Sequence, residues 1–182
     1  MKVYDQPERL LQTLIRFDTT NPPGNEAQCI HYLADLLGEA GIETQFVAKD
    51  KQRPNLIARL KGDGSAPGLL LQGHVDVVTT AGQQWTHPPF KADRVSGIEE
   101  GDYIWGRGAL DMKSGVVMMV CAMLRLKAEG ITPAGDITFC VLSDEEAGGD
   151  YGARYLVEDH PRLFEGIRYG FGEFGGFAMH LG

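Results

Sequence analysis

Apolar residues follow two different spacings along this chain, and the two spacings alternate. Helical spacing, in which apolar residues recur every three or four positions, predicts helices over about residues 5–17, 26–40, 112–129 and 150–159. Continuous or alternating apolar runs predict strands over residues 42–48, 55–60, 68–73, 137–142 and 167–171. Because helices alternate with apolar strands, the sequence predicts an α/β sandwich with a largely parallel sheet.

Local signals at the ends of these elements refine the prediction. Residues 5–8, Asp-Gln-Pro-Glu, resemble a capping box at the start of the first helix. Gly41 lies where a left-handed residue is expected to end the second helix. Residues 79–102 contain no clear helix or strand pattern, and we expect a long, irregular and functional or well-packed loop there.

Composition limits the classes of protein to consider. With 182 residues and 43% apolar residues, the chain can bury the core of a single domain. Its net charge of −8 disfavours a nucleic-acid partner. Because the sequence has no apolar run of about eighteen residues and no signal-peptide core, we expect no membrane span and a cytoplasmic location. The three cysteines lie far apart in apolar segments, which favours reduced thiols.

Acidic or histidine-bearing motifs occur at four places where predicted strands end or a helix begins. These motifs are His74-Val75-Asp76, Gly106–Asp111, Ser143–Glu146 and Gly172-Glu173. The ends of strands are where α/β proteins gather their chemistry. One imidazole among many carboxylates, with no lysine nearby, is electrostatically unfavourable unless cations lie between them. The pattern therefore predicts a metal site, with more than one metal.

Each motif also has a structural alternative that the residues alone leave open. His74 and Asp76 can be a ligand and its orienting carboxylate, or simply a buried histidine bonded to an aspartate. Asp111 can serve only as the N-cap of the long helix. Glu145 and Glu146 can form a solvated acidic turn, or divide between a metal and a water molecule. Glu173 lies between apolar residues and glycines, where an unpaired carboxylate is uncommon.

Taken together, the motifs resemble the M20 family of metallopeptidases and amidohydrolases. This family includes acetylornithine deacetylase, succinyl-diaminopimelate desuccinylase, aminoacylase and glutamate carboxypeptidase. The resemblance rests on residues 74–78, on Trp85 with Pro89-Phe90, on residues 106–113, on residues 143–146 and on Gly172-Glu173. It implies the three-layer α/β/α sandwich of zinc exopeptidases, with a mixed and mostly parallel sheet.

The resemblance also implies a set of metal ligands. His74 and Glu173 would bind one zinc ion, Glu146 would bind another, and Asp111 would bridge the two. Zinc is the implied metal, with two ions in a complete site. A site rich in carboxylates and poor in imidazole also accepts cobalt or manganese.

Two further residues acquire catalytic roles by resemblance. Glu145 resembles the general base that deprotonates the attacking water, and Asp76 resembles the residue that orients His74. The resemblance also suggests a cis peptide bond between Asp111 and Met112. The implied substrate is a small N-acyl amino acid or peptide, with a dipeptidase or aminopeptidase of the same clan as the alternative.

Relative to this family, residues 1–182 are expected to form the N-terminal part of one catalytic domain. The lid or dimerisation domain, through which the full-length protein would form a homodimer, and a C-terminal segment with a final histidine ligand would lie beyond Gly182. His87, His160 and His180 match no family motif. We therefore expect this fragment alone to be inactive, and the alternative from a different class is a catalytically dead metal-binding or regulatory fragment.

Overall fold

A mixed sheet of five strands organises the residues that the computed structural model describes, which are residues 2–97 and 101–173. The strands in chain order are β1 (Glu43–Val47), β2 (Asn55–Leu60), β3 (Gly68–His74), β4 (Asp93–Ser96), β5 (Asp102–Trp105), β6 (Ile137–Leu142) and β7 (Ile167–Phe171). The main sheet has the order β1-β2-β6-β3-β7, and β4 and β5 form a separate antiparallel hairpin. Strands β6, β3 and β7 pair in parallel, whereas β2 is antiparallel to both of its neighbours. Four strands of the sheet therefore share one direction, which confirms the mostly parallel mixed sheet.

Helices cover both faces of the sheet and make three layers. They are α1 (Pro7–Arg16), α2 (Ala27–Glu39), α3 (Lys113–Ala128) and α4 (Ala153–Asp159). The larger core joins α1, α2 and α3 to one face of the sheet, and the smaller core joins α4 to the other face. The α/β/α sandwich predicted from the sequence is therefore confirmed. Within the described residues, no helix has both the length and the apolar character needed to cross a bilayer.

Strand β6 shows how its sequence produces this layering. All six of its residues are buried, and they alternate between the two cores. Phe139 and Val141 pack in the larger core, whereas Cys140 and Leu142 pack in the smaller core. A continuous apolar run is the pattern expected of a strand that is covered on both faces.

Two local predictions need correction. The first helix has no capping box, because Asp5 belongs to a short 3-10 turn and Gln6 is the N-cap without a side-chain hydrogen bond. The segment over residues 79–102 is not wholly irregular, because β4 lies within it and pairs with β5. Gly41 does adopt the predicted left-handed conformation, with φ of 74°.

The side of the sheet next to β7 leaves apolar groups exposed. Met118 on α3 is 65% exposed and Phe171 on β7 is 61% exposed, so α3 is not enclosed on all sides. These two residues line an open groove between α3 and β7. Asp111 and Glu173 lie at the same groove, so the apolar surface adjoins the predicted metal ligands.

Candidate metal centre

The parallel strands β3, β6 and β7 bring three of the predicted motifs to the same edge of the sheet. His74 is the last residue of β3, Glu145 and Glu146 follow β6, and Glu173 follows β7. Because parallel strands have their carboxyl ends at one edge, side chains far apart in sequence meet there. The sequence-predicted ligands are therefore brought together by sheet topology.

His74 is at the centre of this cluster. Its side chain is buried, and its Nε2 atom lies 3.1 Å from Oδ1 of Asp111 and 3.3 Å from Oε2 of Glu173. Oε2 of Glu145 is farther away, at 3.8 Å from Nε2. On the other side of the ring, Nδ1 lies 3.0 Å from the backbone oxygen of Asp76 and 3.3 Å from its Oδ1 atom. One ring nitrogen thus faces Asp76, and the other faces the carboxylate cluster.

Asp111 precedes the long helix α3 and points toward His74. The alternative role as a helix cap is wrong, because Met112 is the N-cap and no side chain caps this helix. The peptide bond between Asp111 and Met112 is cis, as predicted. Gly73 allows this end of α3 to approach β3, because a Cβ atom there would lie 2.9 Å from Cε of Met112.

Asp76 connects the first motif to the acidic turn after β6. Its buried carboxylate accepts hydrogen bonds from the backbone N–H groups of Glu145, at 3.1 Å, and Glu146, at 3.0 Å. It also accepts a hydrogen bond of 2.7 Å from the side-chain amide of Asn21. One carboxylate therefore orients both the imidazole of His74 and the backbone from which the two glutamates project.

Two overlapping sets of side chains are close enough to hold a cation. His74, Asp111 and Glu173 form one set, and His74, Glu145 and Glu146 form the other. In each set the ligand atoms lie within 4.8 Å of one another. The first set is the one implied by the family resemblance. The assignment of Glu146 to a second metal, and the role of Glu145 as general base, stay predictions.

The charges of the cluster perturb the pKa values of its members. Burial lowers the pKa of His74, but Asp76 and the carboxylates around Nε2 outweigh it and raise the pKa to about 9. Burial and the charge of Asp111 both raise the pKa of Glu146. Burial also raises the pKa of Glu173, and Asp111 adds to the increase. Burial tends to raise the pKa of Asp76, but hydrogen bonds from His74 and Asn21 hold it below its ordinary value.

The distances and charges fit a cation. Two ligand atoms at about 2.0–2.1 Å from one tetrahedral zinc ion lie about 3.3 Å apart. The separations of 3.1 and 3.3 Å between Nε2 of His74 and its two carboxylate partners match such an edge. Within residues 2–97 and 101–173, no lysine or arginine forms an ion pair with Asp111, Glu145, Glu146 or Glu173. A divalent cation would supply the missing positive charge.

Sequence reasoning missed two buried residues that support the site, Asn21 and Arg53. Asn21 lies between α1 and α2, and Arg53 lies just before β2. Nothing in the local sequence pattern distinguished them, because their partners are distant along the chain. Asn21 bonds to Asp144, which is 123 positions away.

Two other histidines of the described residues, His87 and His160, have partners outside this cluster. His87 pairs with Asp93 at 3.2 Å, and the His160 ring packs 4.9 Å from the Tyr155 ring. His180 and the segment Phe174–Gly176 of the last motif lie outside the described residues. None of the three histidines had been predicted as a ligand.

Comparisons with known proteins give a consistent result. The sequence profile of peptidase family M20/M25/M40 matches residues 70–181. Succinyl-diaminopimelate desuccinylase from Paracoccus denitrificans is 39% identical over 159 residues, which cover 87% of this chain. The matched region is 39% of that curated relative, so the chain spans about two fifths of its length.

Solved structures share the fold. Human carnosine dipeptidase 1 superposes with a TM-score of 0.77 at 22% identity, covering 93% of this chain and 38% of that one. A dinuclear metal-binding peptidase of the M20 family from Bacillus subtilis superposes with a TM-score of 0.64 at 20% identity. That match covers 93% of this chain and 42% of the Bacillus protein.

Proposed function

Because the chain belongs to peptidase family M20/M25/M40, we propose that it carries the N-terminal part of a hydrolase that uses two metal ions to cleave amide bonds. The observation that carries this proposal is the convergence of His74, Asp111 and Glu173 at one edge of the sheet. Those side chains offer one imidazole nitrogen, once its proton is lost, and two carboxylates to a cation, with a position left open for water.

The ligands divide between two sites. We name the set His74, Asp111 and Glu173 the His74 site. We name the pair Asp111 and Glu146 the Glu146 site, with Asp111 shared by both. Zinc suits this donor set, and cobalt or manganese can replace it. The pairing of Glu146 with Asp111 is supported by the pKa of Glu146, which burial raises and which the negative charge of Asp111 raises further.

The bound cations would supply Lewis acidity that polarises the amide carbonyl and makes water more acidic. Glu145 is 51% exposed and lies beside the cluster, so it can reach both solvent and substrate. Its carboxylate takes a proton from the attacking water and delivers it to the departing amine nitrogen. Asp76 holds the His74 ring and the backbone of Glu145 in place throughout this proton transfer.

The substrate class that fits best is an N-acyl amino acid, and N-succinyl compounds are the first to test. The 39% identity to a desuccinylase supports this choice. The dipeptidase alternative rests on a structural likeness at 22% identity, which concerns the fold alone. Further substrate-binding groups would come from the part of the relatives' length that this chain does not match.

Residues 1–182 alone would form an incomplete catalytic unit. The Glu146 site has only two protein ligands among the described residues, so its cation would be held weakly. The matched region is about two fifths of the desuccinylase, which leaves room for a further ligand, a lid and a dimer contact. We therefore expect negligible amidase activity from this chain and full activity only from a protein of the relatives' length.

The test compares two proteins. The purified 182-residue chain and a version extended to the length of its relatives are assayed with excess Zn²⁺ or Co²⁺. The substrates are N-succinyl and N-acetyl amino acids and dipeptides. Turnover of about 1–10³ s⁻¹ by the longer protein alone is the expected result. Metal binding without turnover by the longer protein would favour the catalytically dead alternative, and turnover by the 182-residue chain would contradict the incomplete Glu146 site.

A further inference from the structure

A continuous set of buried polar groups extends from the start of α2 to Asp76. Its members are Glu26, Arg53, Asp144 and Asn21, which are each between 0% and 7% exposed. They belong to three connecting segments: Asn21 and Glu26 lie between α1 and α2, Arg53 lies between β1 and β2, and Asp144 follows β6. Burying a charged group costs free energy unless the group is paired and hydrogen-bonded. The charged members of this set are therefore expected to have partners within it.

Arg53 joins two of the carboxylates. Its Nε and Nη2 atoms donate to the two oxygens of Glu26 at 3.2 and 2.8 Å. The same Nη2 atom also donates to Oδ1 of Asp144 at 2.9 Å. Gly24 makes room for this arrangement, because a Cβ atom there would lie 2.2 Å from Nε of Arg53. The guanidinium therefore occupies a fixed position between two anionic groups.

Asp144 directly precedes Glu145, the candidate general base, and Glu146, the candidate metal ligand. Its backbone is left-handed, with φ of 66°, which non-glycine residues seldom adopt. Its carboxylate accepts from Arg53 and Asn21 on one oxygen and from the backbone N–H of Tyr151 on the other. Three donors thus fix the residue whose unusual backbone sets the direction of Glu145 and Glu146.

Asn21 connects this turn to the first motif. Its side-chain Nδ2 donates to Oδ1 of Asp144 at 3.0 Å and to Oδ2 of Asp76 at 2.7 Å. A primary amide has two N–H groups, so both bonds can form at once. A single side chain thereby ties the loop after β3 to the turn after β6.

We propose that Asn21 and Arg53 are positioning residues of the metal centre. Arg53 acts through Asp144 and fixes the turn that carries Glu145 and Glu146. Asn21 acts through both Asp144 and Asp76, so it also fixes the orientation of His74. This inference rests on the proposed function, because it assigns the two residues a task within that same centre.

The two residues should affect the two metal sites differently. Lysine at position 53 keeps the positive charge but cannot reproduce the planar fork that bridges two carboxylates. Arg53→Lys should therefore loosen the Glu146 site and leave the His74 site close to wild type. Asn21→Ala removes a donor from Asp76 as well as from Asp144, so it should weaken both sites.

The experiment titrates the 182-residue chain with Co²⁺ and follows its visible absorption, with Zn²⁺ competition to order the two sites. Wild type, Arg53→Lys and Asn21→Ala are compared. Arg59→Lys is the matched control, because Arg59 is on β2 and donates to the backbone oxygen of Leu163 instead of to the centre. Circular dichroism establishes that each variant is folded at the temperature of titration.

The expected result is an increase of about 10–100-fold in the dissociation constant of the affected site, the usual cost of losing a group that orients a ligand. Arg53→Lys should raise the dissociation constant of the Glu146 site, and Asn21→Ala should raise the dissociation constants of both sites. Arg59→Lys should change neither. Wild-type affinities in variants that merely melt at lower temperature would overturn the inference. So would equal weakening by Arg59→Lys.

The remaining outcomes are also decisive. If one variant fails to fold, the affinity of the other decides the question. If neither variant folds even with excess Co²⁺, the network is purely structural and the inference is overturned. If wild type binds no Co²⁺, the proposed function itself fails and the inference falls with it. If wild type binds Co²⁺ and both folded variants bind it equally well, only the inference fails.

Discussion

Nε2 of His74 lies 3.1 Å from Oδ1 of Asp111, although the two residues are 37 positions apart in the sequence. The separation suits a direct hydrogen bond to a protonated imidazole, and it equally suits two ligands of one zinc ion. Protons and cations therefore compete for the same space. This competition determines how the centre should respond to metal and to pH.

The two metal sites should fill in order. The His74 site has three protein ligands among the described residues, whereas the Glu146 site has two. We expect the 182-residue chain to bind one Co²⁺ or Zn²⁺ ion tightly and the second much more weakly. Calorimetric titration measures both steps, and Glu173→Gln should selectively weaken the first. Two equal and tight binding steps would contradict the ligand assignment.

Substitutions at the two adjacent glutamates should have different effects in a protein of the relatives' length. Glu145→Gln should keep both metals and lower turnover about 10²–10⁴-fold, which is the usual worth of a positioned general base. Glu146→Gln should instead lower the metal content. Metal analysis beside steady-state kinetics separates the two effects. Loss of metal in Glu145→Gln, with metal retained in Glu146→Gln, would mean that the two roles are exchanged.

Metal binding should release a proton at neutral pH. The pKa of His74 in the metal-free protein is raised to about 9, so the imidazole is protonated below that pH. A cation at Nε2 must displace this proton, and the apparent affinity should fall about tenfold for each pH unit below 9. Above pH 9 the contribution of His74 should disappear. Calorimetry at pH 7 in buffers of different ionisation enthalpy counts the released protons, and release of none would contradict the assignment of His74.

The centre of β6 should dominate the stability of the fold. Phe139 is completely buried between the sheet and the helices, so Phe139→Ala should lower the free energy of unfolding by about 3–5 kcal/mol. Met118 is 65% exposed and provides a matched control, since its truncation should change stability by less than about 0.5 kcal/mol. Urea unfolding followed by circular dichroism measures both values. Similar losses in the two variants would show that the exposed side of α3 is covered in solution.

The sequence predicted all five strands of the main sheet, including the mostly exposed β7. Strands β2, β6 and β7 were predicted to the residue. The hairpin of β4 and β5 was missed because its short strands are partly exposed and carry polar residues such as Asp93 and Arg94. The N-terminal cap was mistaken because Asp5, the expected capping residue, ends a 3-10 turn over Val3–Asp5 and Gln6 takes the N-cap position.

The topology of the sheet explains why the site residues come together. It does not explain the contacts of the buried residues that support them. Parallel strands place His74, Glu145 and Glu173 at one edge, and each motif is visible locally in the sequence. The contacts of Asn21 and Arg53 depend on how loops cross in three dimensions. Asn21 reaches Asp76 across 55 positions, and Arg53 reaches Asp144 across 91. No spacing rule along the chain encodes such contacts.

The position of β7 has a mechanical consequence. Among the described strands it is one of the two edge strands of the main sheet, and it is bonded only to β3, with an irregular register near Gly68. Glu173 lies two residues after the end of this strand, whereas His74 ends β3 itself. A cation bound by both residues would cross-link the edge strand β7 to the inner strand β3. Removal of the cation by a chelator would break this cross-link. The backbone amides of β7 would then exchange with solvent deuterium before those of β3 and β6.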